Sequence, residues 1–93
     1  MHVLLVEYDL FIPAAQSLKD KRSVIKSIEH RIRSSYNVSL AEVDYLDKWQ
    51  RATLATAAVG LLRDRLEEIE RAVSREFEER FDLEITDRRL EWL

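Results

Sequence analysis

Residues 3 to 12 run Val3-Leu4-Leu5-Val6-Glu7-Tyr8-Asp9-Leu10-Phe11-Ile12 and alternate with a period of two. Side chains two apart on an extended chain share a face. Leu4, Val6, Tyr8, Leu10 and Ile12 therefore line one side, and every one of them is apolar. The other side carries Val3, Leu5, Glu7, Asp9 and Phe11, a mixed set. This is a strand with one face on a core and one turned outward. Pro13 ends it, because proline fixes its own φ and has no N–H for a ladder.

Downstream, Ser17 is a suitable N-cap, and Asp20 stands where a capping box places its acid. Leu18, Val24, Ile25, Ile28, Ile32 and Tyr36 then form the apolar stripe of an amphipathic helix. Residues 38 to 45 predict a second strand with broken alternation: Val38 and Leu40 have one parity, Ala41 and Val43 the other. A bulge reconciles them, and the inward face stays open. Leu46-Asp47-Lys48 is a turn, and residues 49 to 59 predict a third strand closed by Gly60, the only glycine. Leu62, Leu66, Ile69, Val73 and Phe77 mark a second helix over 61 to 80, and 82 to 92 a last strand.

Two helices with one apolar stripe each must both bury it on the sheet. With right-handed crossovers, the order β-α-β-β-α-β gives an α+β, ferredoxin-like sandwich over residues 1–93. Its four-stranded antiparallel sheet has the order 4-1-3-2, both helices on one face and the other face open. Ninety-three residues suffice for one domain with a real core.

Composition removes several chemistries. With no cysteine, disulfides and thiolate catalysis are excluded. A single glycine cannot form a phosphate-cradling loop. His2 and His30 lie far apart without an evident Ser or Asp orienter, so no nucleophilic triad is expected. Glu42, Asp44 and Asp47 form an acidic group at the hairpin, but Lys48 and Arg51 offset it and no metal is expected. Pairing Glu7 or Asp9 with Glu42 or Asp44 for acid–base work lacks a pocket-forming loop. The expectation is a non-enzyme without cofactor. The N-terminus lacks the basic start and the roughly 7–15-residue apolar run of a secretory leader. No stretch approaches the roughly 20 residues of a membrane helix, so a cytoplasmic protein without membrane contact is expected.

Three clusters carry a resemblance: Ser17-Leu18-Lys19-Asp20-Lys21-Arg22, then Ala41-Glu42-Val43-Asp44 with Trp49-Gln50-Arg51-Ala52, and Leu90-Glu91-Trp92-Leu93 at the end. Together they resemble the YlxP-like family of small bacterial proteins over nearly the whole chain. The resemblance implies a ferredoxin-like fold, no agreed activity, and an association by gene neighbourhood with translation initiation and ribosome maturation.

The net charge argues against strong non-specific attraction to nucleic acid as a whole, but charge is distributed unevenly. Residues 17 to 36 hold six Lys or Arg against two acids, a net of +4, within a chain of net charge −3. Residues 61 to 80 hold five Arg against seven acids, a net of −2. Lys19, Lys21, Arg22, Lys26, Arg31 and Arg33 are thus candidate phosphate contacts. Trp49, Gln50 and Arg51 could stack on a base. The ordinary alternatives are a solvated helix face, Trp49 packed under the hairpin or on Trp92, and Arg51 answering Glu42 or Asp44. The expected partner is RNA or a ribosomal component. The second reading is a homodimer through the open sheet face, with Val3, Leu5 and Phe11 as its apolar contacts, or through an uncovered edge strand.

Overall fold

The computed structural model describes residues 1–93. Its elements are β1 (His2–Phe11), α1 (Leu18–Ser35), β2 (Ser39–Asp44), β3 (Arg51–Gly60), α2 (Arg63–Glu78) and β4 (Glu84–Trp92). All pairings are antiparallel and the sheet order is β2-β3-β1-β4. Read from the other edge, that is the expected 4-1-3-2. The fold is ferredoxin-like.

The alternation in β1 sets the layers. Leu4, Val6, Tyr8 and Leu10 are buried beneath the helices, joined by Ala52 and Leu54 of β3 and Leu40 of β2. From the helices, Ile25, Ile28 and Ile32 of α1 and Leu66, Val73 and Phe77 of α2 close the same core. The helices lie side by side. Arg31 of α1 pairs with Glu76 of α2 at 3.1 Å, and the Tyr36 hydroxyl donates to Glu76 at 2.9 Å.

Local signals hold at the start of α1. Asp20 N donates to Ser17 Oγ at 3.0 Å, and Gln16 N donates back to the Asp20 carboxylate at 3.0 Å. The second helix begins at Arg63, two residues later than the apolar pattern implies, and its N-cap Leu62 makes no side-chain cap. Leucine has no acceptor to offer there. A Cβ on Gly60 would stand 3.1 Å from Leu66 Cδ2, so any side chain there would press on Leu66.

The hairpin differs from expectation. Its loop runs from Tyr45 to Gln50, longer than the three-residue turn, and the register slips between Glu42 and Asp44. The slip is a bulge at Val43, which reconciles the two parities. It sends Glu42 towards α1 while Asp44 stands opposite Thr53. The two carboxylates therefore do not share a face. Trp49 is 54% exposed, and Trp92 lies at the other end of the sheet opposite Leu4, packed edge-on against His2. The two tryptophans do not meet.

Tyr8 gives a pH expectation. It is fully buried against Phe77, with ring centroids 4.7 Å apart, and its hydroxyl donates to Glu70 at 3.1 Å. Burial first, then the Glu70 charge, push its pKa above the ordinary phenol value. The unfolded phenol ionises near pH 10 while the native one holds its proton. Stability is therefore complete below about pH 10 and falls above it by up to about 1.4 kcal/mol per pH unit. Tyr8→Phe should flatten that alkaline limb in urea titrations. A variant as alkali-sensitive as the wild type would remove Tyr8 as the cause.

Candidate functional site

Three charged groups organise the molecule, and two of them are internal. Lys21 is 1% exposed, on the buried side of α1. Its Nζ donates to the carbonyls of Tyr45, at 2.6 Å, and Arg51, at 3.0 Å. It also lies 3.0 Å from Glu42 Oε2, which has no aligned hydrogen bond of its own. Tyr45 has a φ of 60°, a conformation that L-residues adopt at a cost. Its carbonyl accepts from both Lys21 and Lys48 N, and these bonds hold it there.

Lys21 therefore ties α1 to the hairpin loop and offers nothing to a phosphate. Gln50 is likewise committed: its amide donates to the carbonyls of Pro13 and Ala15, at 3.0 and 3.2 Å. Arg51 stacks over the Tyr45 ring at 4.0 Å and donates to its hydroxyl, rather than pairing with Glu42 or Asp44. Two more candidates are answered within the chain. Arg31 pairs with Glu76, while Arg33 donates to the Leu40 carbonyl at 2.7 Å and lies 3.7 Å from Glu29.

What remains is a stripe. Lys19, Arg22 and Lys26 are exposed and have no acid within ion-pair distance. Their spacing of three and four residues puts them on one side of α1. That side faces away from Lys21, Ile25, Ile28 and Ile32. Because Lys21 clamps the first turn of α1 to the hairpin, exposed Lys48 and Trp49 stand at the same end of the domain. They border an open concavity of about 380 Å³ together with Asp47, Gln50 and Arg51. The stripe offers positive charge, and the hairpin corner at the same end of the domain offers an aromatic ring.

Comparison with known proteins gives the family. The family model described as "Protein of unknown function (DUF503)" matches residues 3–90. The chain belongs to this YlxP-like family. It is 40% identical over 88 residues to "Uncharacterized protein YlxP" of Bacillus subtilis (strain 168), covering 92% of this chain and 94% of that protein. A solution NMR structure of a de novo designed protein with ferredoxin fold aligns over 100% of this chain and 84% of its own, at 14% identity and a TM-score of 0.47. The fold assignment here rests on the strand order and helix placement themselves. In these terms the S-L-K-x-K-R and W-Q-R segments that carry the resemblance are largely architectural in this chain. Lys21, Gln50 and Arg51 are committed to partners within the chain, although Gln50 and Arg51 are exposed, whereas Lys19, Arg22 and Trp49 are exposed with no such bond.

The open face of the sheet holds the third charged group. Arg89 of β4 reaches Glu7 at 2.7 Å, Asp9 at 2.9 Å and Asp87 at 2.8 Å. Thr53 donates to the other Asp9 oxygen at 2.7 Å. The Arg89 hydrogen bonds hold the Asp9 carboxyl below the usual range, and Asp9, Glu7 and Asp87 in turn raise the guanidinium. Val3, Leu5 and Phe11 do lie on this face, each half-buried. The network occupies the ground between Leu5 and Phe11, so the apolar patch is in two pieces. No group of three or more His, Cys, Asp or Glu is arranged to hold a metal ion. No helix is long and apolar enough to cross a membrane.

Sequence reasoning missed Glu70. It is 8% exposed on α2 and accepts from the Tyr8 and Ser74 hydroxyls, with Arg88 of β4 at 3.4 Å. All four groups of this network engage one another, so it is a structural brace between α2 and the sheet.

Proposed function

We propose that the domain is a non-catalytic RNA-binding module of the cytoplasm that engages ribosomal RNA through the solvent side of α1. The observation that carries this reading is the unanswered Lys19–Arg22–Lys26 stripe. Of the 15 Lys and Arg, Lys21, Arg31, Arg33, Arg71, Arg80, Arg88 and Arg89 have an acid partner, and among the other eight Lys19, Arg22 and Lys26 are the ones that line up along one helix face. Three adjacent cations without an acid partner raise the local potential where a phosphate backbone could track the helix. Trp49 supplies a stacking surface beside them.

The test is fluorescence anisotropy on a single-stranded ribosomal RNA fragment across a salt series, with co-sedimentation on ribosomal subunits as a second assay. On a single strand, each phosphate that the protein no longer neutralises lowers the salt slope by about 0.7. The triple change Lys19→Ala, Arg22→Ala and Lys26→Ala should therefore lower it by about 2, without altering the melting curve. Trp49→Ala should weaken binding by about 1–3 kcal/mol, with little change in slope. An unchanged slope and affinity in the triple variant would end the proposal.

A further inference from the structure

A four-stranded open sheet has two edges, and in this protein they are protected unequally. On β2 the edge spans six residues, is bulged at Val43, and has its Leu40 carbonyl occupied by Arg33. On β4 it spans nine residues, Glu84–Trp92, nearly all exposed. Leu93 N donates to Val3 O at 2.9 Å. Alternation in an antiparallel ladder then turns the peptide groups of Arg89, Glu91 and Leu93 towards β1. Those of Arg88, Leu90 and Trp92 point to the empty side. Leu90 there is 46% exposed, and Glu91 pairs with nothing in its own chain. The one cap is at Arg88, whose N–H donates to Asp87 Oδ1 at 2.9 Å.

We propose that β4 is a homodimer interface, in which a second copy of this chain pairs its β4 antiparallel to the first about a two-fold axis at Leu90. The register follows from the ladder. A two-fold can stand at an outward-facing residue, Arg88, Leu90 or Trp92, or at Asp87, Arg89 or Glu91 between them, since either keeps outward peptide groups opposite outward ones. Each of the latter three sets like charges directly opposite one another, which destabilises a sheet. An axis at Arg88 sets two guanidinium side chains opposite each other, and like charges directly opposed destabilise a sheet. An axis at Trp92 stands at the last residue of β4 and leaves almost no strand for the two copies to pair. The axis at Leu90 sets Leu90 against Leu90, and Arg88 against Trp92 of the second copy. On the open face it brings Arg89 opposite Glu91 of the second copy, twice by symmetry, which answers the unpaired acid. The result is one continuous eight-stranded sheet with all four helices on one side. It also sets two α1 stripes on a common face.

Sedimentation equilibrium on the full chain, freed of nucleic acid, from low micromolar to submillimolar concentration tests the interface. The wild type should dimerise. Leu90→Pro removes an N–H that β1 does not use, and proline is tolerated at such edge positions. It should weaken the dimer by about tenfold or more, an effect of about 1.4 kcal/mol or more. Glu91→Arg, which leaves the backbone alone, should weaken it too by opposing Arg89. Phe11→Glu, on the open face opposite Glu84 and Arg51 and away from residues 88 to 92, should leave the dimer intact. A wild type that stays monomeric throughout, a dimer surviving both β4 variants, or one broken by Phe11→Glu alone would overturn the assignment.

Discussion

Lys21→Met should lower the stability of this domain by about 3 kcal/mol, more than any change on the exposed side of the same helix. The ammonium is the only donor reaching the Arg51 carbonyl from α1, and it also serves the Tyr45 carbonyl and the Glu42 carboxylate. Breaking a buried pair by removing one partner costs about 3–5 kcal/mol, because the charge left behind keeps its desolvation penalty. Glu42 is 18% exposed and can recover some water, which sets the lower end of that range. For a domain of this size the melting temperature should fall by on the order of 15 °C. Restoring an apolar pair with Lys21→Met and Glu42→Leu together should recover much of the loss, since both desolvation costs then disappear. Urea melts of the three proteins measure this. A single variant within about 0.5 kcal/mol of the wild type would show that the clamp carries no load. The same variant separates architecture from binding. Folded Lys21→Met should retain the salt slope of the wild type on RNA, whereas the Lys19, Arg22 and Lys26 changes should not.

The order of elements was legible because it rests on periodicity. Even residues of β1 from Leu4 to Leu10 are uniformly apolar, and Ile25, Ile28 and Ile32 repeat at helical spacing. The same periodicity contained the two charged groups that a reading by residue type passes over. Lys21 stands four residues before Ile25, so 21, 25, 28 and 32 form a single stripe. Glu70 stands between Leu66 and Val73, so 66, 70, 73 and 77 do the same. A lysine within a basic run reads as one more solvated cation, and a glutamate among seven helical acids reads as surface. Position on the stripe, more than residue type, decides burial. The hairpin was less legible for a different reason. The broken alternation of Val38, Leu40, Ala41 and Val43 signals a bulge, but no local residue choice fixes its place at Val43 or which face then turns inward. The partners of Gln50 and Arg51 depend on how that loop then returns to Pro13, Ala15 and Tyr45. That is a tertiary matter beyond any local pattern.

The second large effect lies at Glu70. Glu70→Ala should cost about 2–4 kcal/mol, and the partners do not share the loss equally. Arg88 is 42% exposed in its side chain and can turn to water. Tyr8 is fully buried and cannot, so its hydroxyl would remain without an acceptor. An unsatisfied buried donor costs about 1–3 kcal/mol, while removing both partners together is close to neutral. Tyr8→Phe alone should therefore cost about 1 kcal/mol, and Tyr8→Phe with Glu70→Ala should cost clearly less than the sum of the two. A coupling of at least about 1 kcal/mol in a double-mutant cycle, read from urea melts, is the expected result. Strict additivity would mean that hydroxyl and carboxylate do not support each other. The loss should also be felt at the sheet edge. Arg88 belongs to β4, and its bond to Glu70 is one of the few that fasten this edge strand to the helix layer. Amide exchange in Glu70→Ala, at concentrations too low for dimerisation, should consequently accelerate along β4 before it does in β1 or β3, because β4 of the single chain has a neighbour on one side only.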